Sequence, residues 1–266
     1  MKIKVAIVGV GNCASSFIQG LEYYKHVDET SSPVPGLMHN NFGGYLIRDI
    51  EVVAAFDVNG NKIGKDISEA IWTLPTNSRK FADIPCKGVT VSMGFLGDGI
   101  APHMQDYFPL QEAPERVVEV LKETGTDVLV LFLPVGSQNA TRFYAQACLD
   151  AGVAFINGIP EFIVSDSEWA EKFKRAGIPC AGDDIQSQVG ATILHRALVK
   201  LIGQSAQRAV ERVLIGARLF GEDINGRTAQ PTFPHHRRQG VDIDHMAARK
   251  IDQQRAWLFT CQCRRP

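Results

Sequence analysis

The chain has 266 residues, of which 45% are hydrophobic and 21% charged, enough apolar content to bury one large core or two modest ones. A formal net charge of -1 supplies no global field for nucleic acid or an anionic membrane, so any charged partner must be met by a local site. No stretch approaches the roughly 20 apolar residues of a membrane span, and Cys13, Cys86, Cys148, Cys180, Cys261 and Cys263 lack the regular spacings of a disulfide framework or zinc module, which fits a reducing cytoplasm.

The apolar run after Met1-Lys2-Ile3-Lys4 breaks at glycines and at Asn12, so it reads as a buried first strand, Val5 to Val8, instead of a signal peptide. The turn Gly9-Val10-Gly11-Asn12-Cys13-Ala14 follows and opens a helix from Asn12 to Leu21. From about Lys25 to Arg48, Ser31-Ser32-Pro33, Pro35-Gly36 and Gly43-Gly44 carry turn chemistry and predict an extended surface excursion. Further strands are expected at Val52 to Phe56, Val89 to Val91, Val128 to Leu133 and Val153 to Ile156, with a weaker one before Gly182. The unbroken apolarity of Val128 to Leu133 suits a central strand covered on both faces. Helices are expected after Ser137, ending at Gly152, then over Ser167 to Arg175 and from about Ser187 through Leu201. Strands alternating with helices predict a doubly wound parallel α/β sheet.

A Gly-x-Gly-x-x-Ala pattern alone is weak, but here it follows a buried strand and opens a helix, which is the context of a dinucleotide site. Gly9 permits the tight turn, Gly11 lets a pyrophosphate approach the backbone, and Ala14 allows close helix packing, so that helix N–H groups at Asn12 and Cys13 meet the anion. The alternative is a purely structural strand-to-helix turn. Asp57, after the second strand, is placed to hold ribose hydroxyls and favours NAD over NADP. It lies 43 residues after Ala14, where about 20 is usual, so residues 25–48 are an insertion; the alternative for Asp57 is an ordinary turn cap.

Three more loops end strands at the same sheet edge. Leu133-Pro134-Val135-Gly136-Ser137 offers Pro134, Gly136 and a helix-capping Ser137 to the cofactor. Asn157, before Gly158-Ile159-Pro160, is a candidate for the nicotinamide side, with a plain turn as the alternative. Gly182 to Thr192 holds Asp183, Asp184 and Gln186 ahead of a helix start whose N–H groups suit a nicotinamide amide or a substrate phosphate.

Residues 1–207 carry 6 Arg and 11 Lys against 23 acidic residues, whereas residues 208–266 carry 10 Arg and 1 Lys against 6. Strand and helix periods fade beyond Arg208, and the tail is expected to fold poorly. Cys261 and Cys263 with His235, His236 and His245 match no zinc spacing, so no metal is expected. His195 reads as a helix-surface histidine, and the paired arginines of the tail lack the aromatic interleaving of a nucleic-acid site.

The stretches Val5 to Ser16, Val34-Pro35-Gly36-Leu37-Met38-His39, Leu133 to Ser137 and Gly182 to Thr192 resemble the amino-terminal part of myo-inositol-1-phosphate synthases (inositol-3-phosphate synthases) of the bacterial and archaeal type. The resemblance covers about residues 1–207 and implies a Rossmann-like domain, tightly bound NAD, glucose 6-phosphate as substrate and a homotetramer. The implied reaction oxidises C5, uses the ketone to acidify the C6 protons, closes the ring on the C1 aldehyde and returns the hydride, with lysines supplying the electrophilic and proton-transfer roles. Asp183, Asp184 and Gln186 then fall on the catalytic stretch, and Asp183 also on the cofactor side. Gln186 stands where the family has lysine, and the tail does not resemble the family's second, catalytic and tetramerisation domain. A missing second domain, a changed reading frame and poor solubility are the resulting expectations. Two other functions stay open: a non-catalytic NAD-binding fragment, or an oxidoreductase on another sugar phosphate.

Overall fold

The computed structural model describes residues 2–32, 34–100, 109–110 and 116–185, together with Leu198, Lys200 and Leu201. Strand β1 (Ile3–Val8) is buried from Val5 onward and pairs in parallel with β4 (Ile50–Asp57) on one side and β6 (Val128–Leu131) on the other. Beyond β4 lies β5 (Val91–Met93); beyond β6 lie β7 (Ala154–Asn157) and β8 (Cys180–Ala181), all parallel. The order β5-β4-β1-β6-β7-β8 reverses its winding between β1 and β6, which opens a ligand crevice at the carboxyl ends of those two strands.

Helices cover both faces because side chains alternate along each strand. Ala6 and Val8 face one core with α3 (Val117–Thr124), α4 (Gln138–Ala151) and α5 (Ser167–Ala176), whose Leu121, Tyr144, Cys148 and Phe173 are buried there. Val5 and Ile7 face a second core with α1 (Asn12–Tyr23) and the short α2 (Ile67–Ala70), through Ala14, Ile18, Ile67 and Ala70. No helix among the described residues is long and apolar enough to cross a membrane.

The expected strand Val89 to Val91 begins instead at Val91. The Asp66 carboxylate accepts from the N–H groups of Lys87 and Val89, the Val89 carbonyl accepts from Ile67, and Thr90 bridges to Asp66, so this stretch pairs with the turn before α2. Strand β6 ends two residues early: Phe132 still donates to Val8, but the chain then bends past the glycine turn. Helix α3 gave no sequence signal. Its β-branched Val117, Val118 and Val120 are weak helix formers, and burial of Val117 and Leu121 one turn apart decides the matter.

The excursion expected over residues 25–48 carries turns and a short hairpin. The Asp28 carboxylate gathers the N–H and hydroxyl groups of Thr30 and Ser31. A hairpin then pairs β2 (Asn41–Phe42) with β3 (Tyr45–Leu46) around Gly43 and Gly44, both at positive φ, as two-residue hairpin turns require. The helix expected from Ser187 lies outside the described residues except for Leu198, Lys200 and Leu201, which are helical, and the arginine-rich tail lies outside them too.

Candidate functional site

The turn after β1 is fixed from both sides. Gly9 has φ +84°, and a Cβ there would lie 2.8 Å from the Phe132 carbonyl oxygen at the end of β6; its N–H donates to Phe56 of β4. Only glycine fits, for conformation and for space. Gly11 differs: at φ -101° its backbone is extended, and a Cβ there would meet nothing within 4 Å. It is the N-cap of α1, with no side-chain cap and no acidic residue in the first turn, so the N–H groups of Asn12, Cys13 and Ala14 open the helix without a side-chain acceptor. Ala14 is fully buried against the sheet, while Asn12 and Cys13 are exposed.

Asp57 stands at the end of β4, beside this turn. One carboxylate oxygen accepts from the Val10 N–H at 2.8 Å, and the other accepts from Val58 and Asn59. Sequence reading missed its neighbour Lys62, which is only 3% exposed and donates from Nζ to the Val10 carbonyl at 2.6 Å and to Thr76 Oγ1 at 2.9 Å. Burial lowers the Lys62 pKa, and the charge of Asp57 opposes that shift. Asn12 ties the helix start to Asn77 and Ser78, and the buried Gln19 accepts from the N–H groups of Phe81 and Ala82, so the strip after Thr76 lies along α1.

At the second loop the expected cap is corrected. Ser137 is buried, and its hydroxyl donates back to the Pro134 carbonyl at 2.7 Å instead of capping α4. Asp98 caps the helix from a distant part of the chain, accepting from Asn139 at 2.7 Å and Ala140 at 3.0 Å. Burial acts to raise the Asp98 pKa, but these backbone donors outweigh it and hold the carboxyl below its ordinary value. No local signal links Asp98 to α4. Pro134, Val135 and Gly136 are exposed, and Gly136 takes φ +94° with open space around it.

The third and fourth loops are joined. The Asn157 side chain is fully buried, donating to the Glu161 carbonyl and to Asp183 Oδ1, and accepting from Ile159. Asp183 also accepts from the N–H groups of Ile163, Val164 and Ser165, so four donors surround its carboxylate. Asp184 is exposed, at φ 79°, and accepts from the N–H of Ile185. Burial and the nearby Asp183 raise the Cys180 thiol pKa, which disfavours a thiolate there. Gln186 lies outside the described residues.

Contacts link these loops into one edge. Gly9 packs against Phe132, the Gly158 backbone lies against the Leu131 carbonyl with Phe132 and Ile185 beside it, and Gly182 lies against Asn157. The glycine turn, Asp57, the loop after β6 and the Asn157–Asp183 pair therefore belong to the carboxyl edge of one sheet. Its residues can cradle an anion on backbone amides beside a carboxylate, which is the donor and acceptor set of a dinucleotide's phosphates and ribose.

No protein-family model matches the chain. It is 55% identical over 201 residues to the inositol-3-phosphate synthases of Mycolicibacterium smegmatis and Mycobacterium tuberculosis strain H37Rv, matches that cover 75% of this chain and 55% and 54% of theirs. The corresponding Corynebacterium glutamicum protein is 51% identical over 213 residues, covering 80% of this chain and 58% of its own. The chain thus spans little more than half the length of the curated relatives it matches. Among solved structures, Ari2 aligns with a TM-score of 0.65 at 34% identity, over 77% of this chain and 61% of that one. A myo-inositol-1-phosphate synthase-related protein from Thermotoga maritima aligns with a TM-score of 0.55 at 23% identity, over 77% and 59%, which supports the fold.

Proposed function

We propose that this chain, a homologue of inositol-3-phosphate synthases over three quarters of its length, is the NAD-binding part of an enzyme that converts glucose 6-phosphate to a myo-inositol phosphate. The observation that carries the reading is the contrast between the two glycines: Gly9 is locked between strands, whereas Gly11 lies at an uncapped helix start with open space where a side chain would be. That arrangement fits the group. The amides of Gly11 to Ala14 receive the pyrophosphate, and Asp57, still bonded to the turn, offers remaining lone pairs to ribose hydroxyls and repels a 2′-phosphate. Pro134 and Gly136 lie along the cofactor's path across the edge, with Ser137 fixing their loop from behind.

Bound NAD would take a hydride from the sugar phosphate and return it within the turnover. In this reading Asn157 and Asp183 position the surrounding loops, because their polar atoms are already engaged within the protein, and exposed Asp184 faces the substrate side. Gln186 stands where the resemblance implies lysine; an amide side chain can donate a hydrogen bond but cannot carry that lysine's charge. A sugar-phosphate substrate and a cytoplasmic setting belong to the same proposal; the homotetramer is the family's assembly and is not proposed for a chain whose tail does not resemble the tetramerisation domain.

Calorimetry with NAD, followed by an assay of inositol phosphate from glucose 6-phosphate, tests it. Binding and product support the full reading. Binding without product selects a non-catalytic NAD-binding fragment, net NADH accumulation selects an oxidoreductase on a sugar phosphate, and no binding by folded protein ends the dinucleotide reading.

A further inference from the structure

Lys62 is a buried cation that neither the fold nor the proposed chemistry uses, and its partners are specific. Val10, between the two glycines, is held at both its polar atoms by oppositely charged side chains: Asp57 takes its N–H at 2.8 Å and Lys62 takes its carbonyl at 2.6 Å. Thr76 Oγ1 accepts from the same ammonium at 2.9 Å. The Val10–Gly11 peptide is trans, so the Val10 C=O and the Gly11 N–H, which share its plane, point in opposite directions. A carbonyl drawn toward a buried ammonium therefore turns the next N–H away from it.

We propose that Lys62 is a positioning residue for the dinucleotide pyrophosphate: by gripping the Val10 carbonyl from within, it aims the Gly11 N–H at the phosphate oxygens. This rests on the dinucleotide reading above. The ammonium does not touch the ligand; it presets one peptide plane, and its charge interacts with that of Asp57, which offsets part of the repulsion between that carboxylate and the incoming phosphates. Orientation set before binding removes an ordering cost from the binding step.

Lys62→Met keeps the aliphatic stem and removes both the donor and the charge. Loss of a charge-assisted hydrogen bond in a buried setting corresponds to about a tenfold or greater weakening of NAD and ADP-ribose binding, expected here with a melting temperature close to that of the parent. A folded Lys62→Met chain that binds NAD within about twofold of the parent overturns the inference. Amide hydrogen exchange on the unmodified chain gives a second readout should the variant not fold: saturating NAD is expected to slow exchange at Gly11. If NAD binds and the Gly11 rate is unchanged, the inference is wrong while the dinucleotide reading stands; if the parent binds no NAD, both fall.

Discussion

At Gly9 and Gly11 the same substitution has different physical consequences. Alanine at Gly9 meets a left-handed backbone and the Phe132 carbonyl together, and the backbone term alone costs about 1–3 kcal/mol. The turn must shift, so Gly9→Ala is expected to lower the melting temperature and abolish NAD binding. Alanine at Gly11 finds an extended backbone and open space. It sacrifices only a preferred N-cap residue, so Gly11→Ala is expected to melt within about 2–4 °C of the parent while its methyl excludes the pyrophosphate and NAD affinity collapses. Thermal melts paired with calorimetry separate the two. Equal NAD affinity in parent and Gly11→Ala would show that the pyrophosphate does not approach there. The sequence pattern supplied the two glycines and their separate roles, and the fold added the Phe132 carbonyl that closes the space at Gly9.

Helix ends show where local reading succeeds and where it fails. Asp166 caps α5 by accepting from Glu168 and Trp169, a side chain bonding to residues two and three positions ahead, and the helix was legible from such short-range chemistry. The start of α4 was also legible, but its cap was not: Ser137 has the right chemistry in the right place, yet its hydroxyl turns to Pro134, and Asp98 arrives from about 40 residues away. All six sheet strands were legible at least roughly from apolar runs, β5 two residues too early, and the glycine turn from its spacing. The Asp57–Val10–Lys62 clamp was not, because a buried lysine five positions after an aspartate looks like a surface charge until the tertiary contacts form. Asp98→Ala is expected to destabilise the chain by about 1 kcal/mol, a melting shift of about 2–4 °C. Acid titration examines Asp98 together with Asp66, which caps α2 by accepting from the Ser68 N–H. Burial acts against ionisation of Asp66, but hydrogen bonds from Ser68, Lys87 and Cys86 prevail and lower its pKa from 3.8 to about 2, and Asp98 is shifted in the same direction. Carboxyls depressed in the folded state contribute their stability in full above their unfolded pKa and lose it as pH falls through the folded value. The melting temperature should therefore fall between pH 4 and about 2, and the fall should be shallower in Asp66→Asn, whose stability at neutral pH is lower; an equally steep acid limb in that variant would remove Asp66 from the account.

The two cores lie on opposite faces of one sheet, and that geometry decides whether the molecule responds to the dinucleotide as a unit. Trp169 packs against the core that holds Phe155 and Phe173, and Trp72 against the core beneath α1. Both cores share β1, whose side chains alternate between them, so neither can come apart while β1 stays paired. With Trp257 replaced by phenylalanine, Trp72→Phe and Trp169→Phe chains each report one face by fluorescence. Both are expected to melt at one temperature, and NAD at about 100 times its Kd is expected to stabilise both by about 2.7 kcal/mol. Phe155→Ala, which opens a cavity on the face away from α1, is expected to cost about 3–5 kcal/mol and to lower both transitions together, with saturating NAD restoring part of the loss on either face. Separate transitions, or a rise with NAD confined to the Trp72 side, would mean that the sheet transmits no stability between its faces and that the glycine turn is anchored by the α1 core alone.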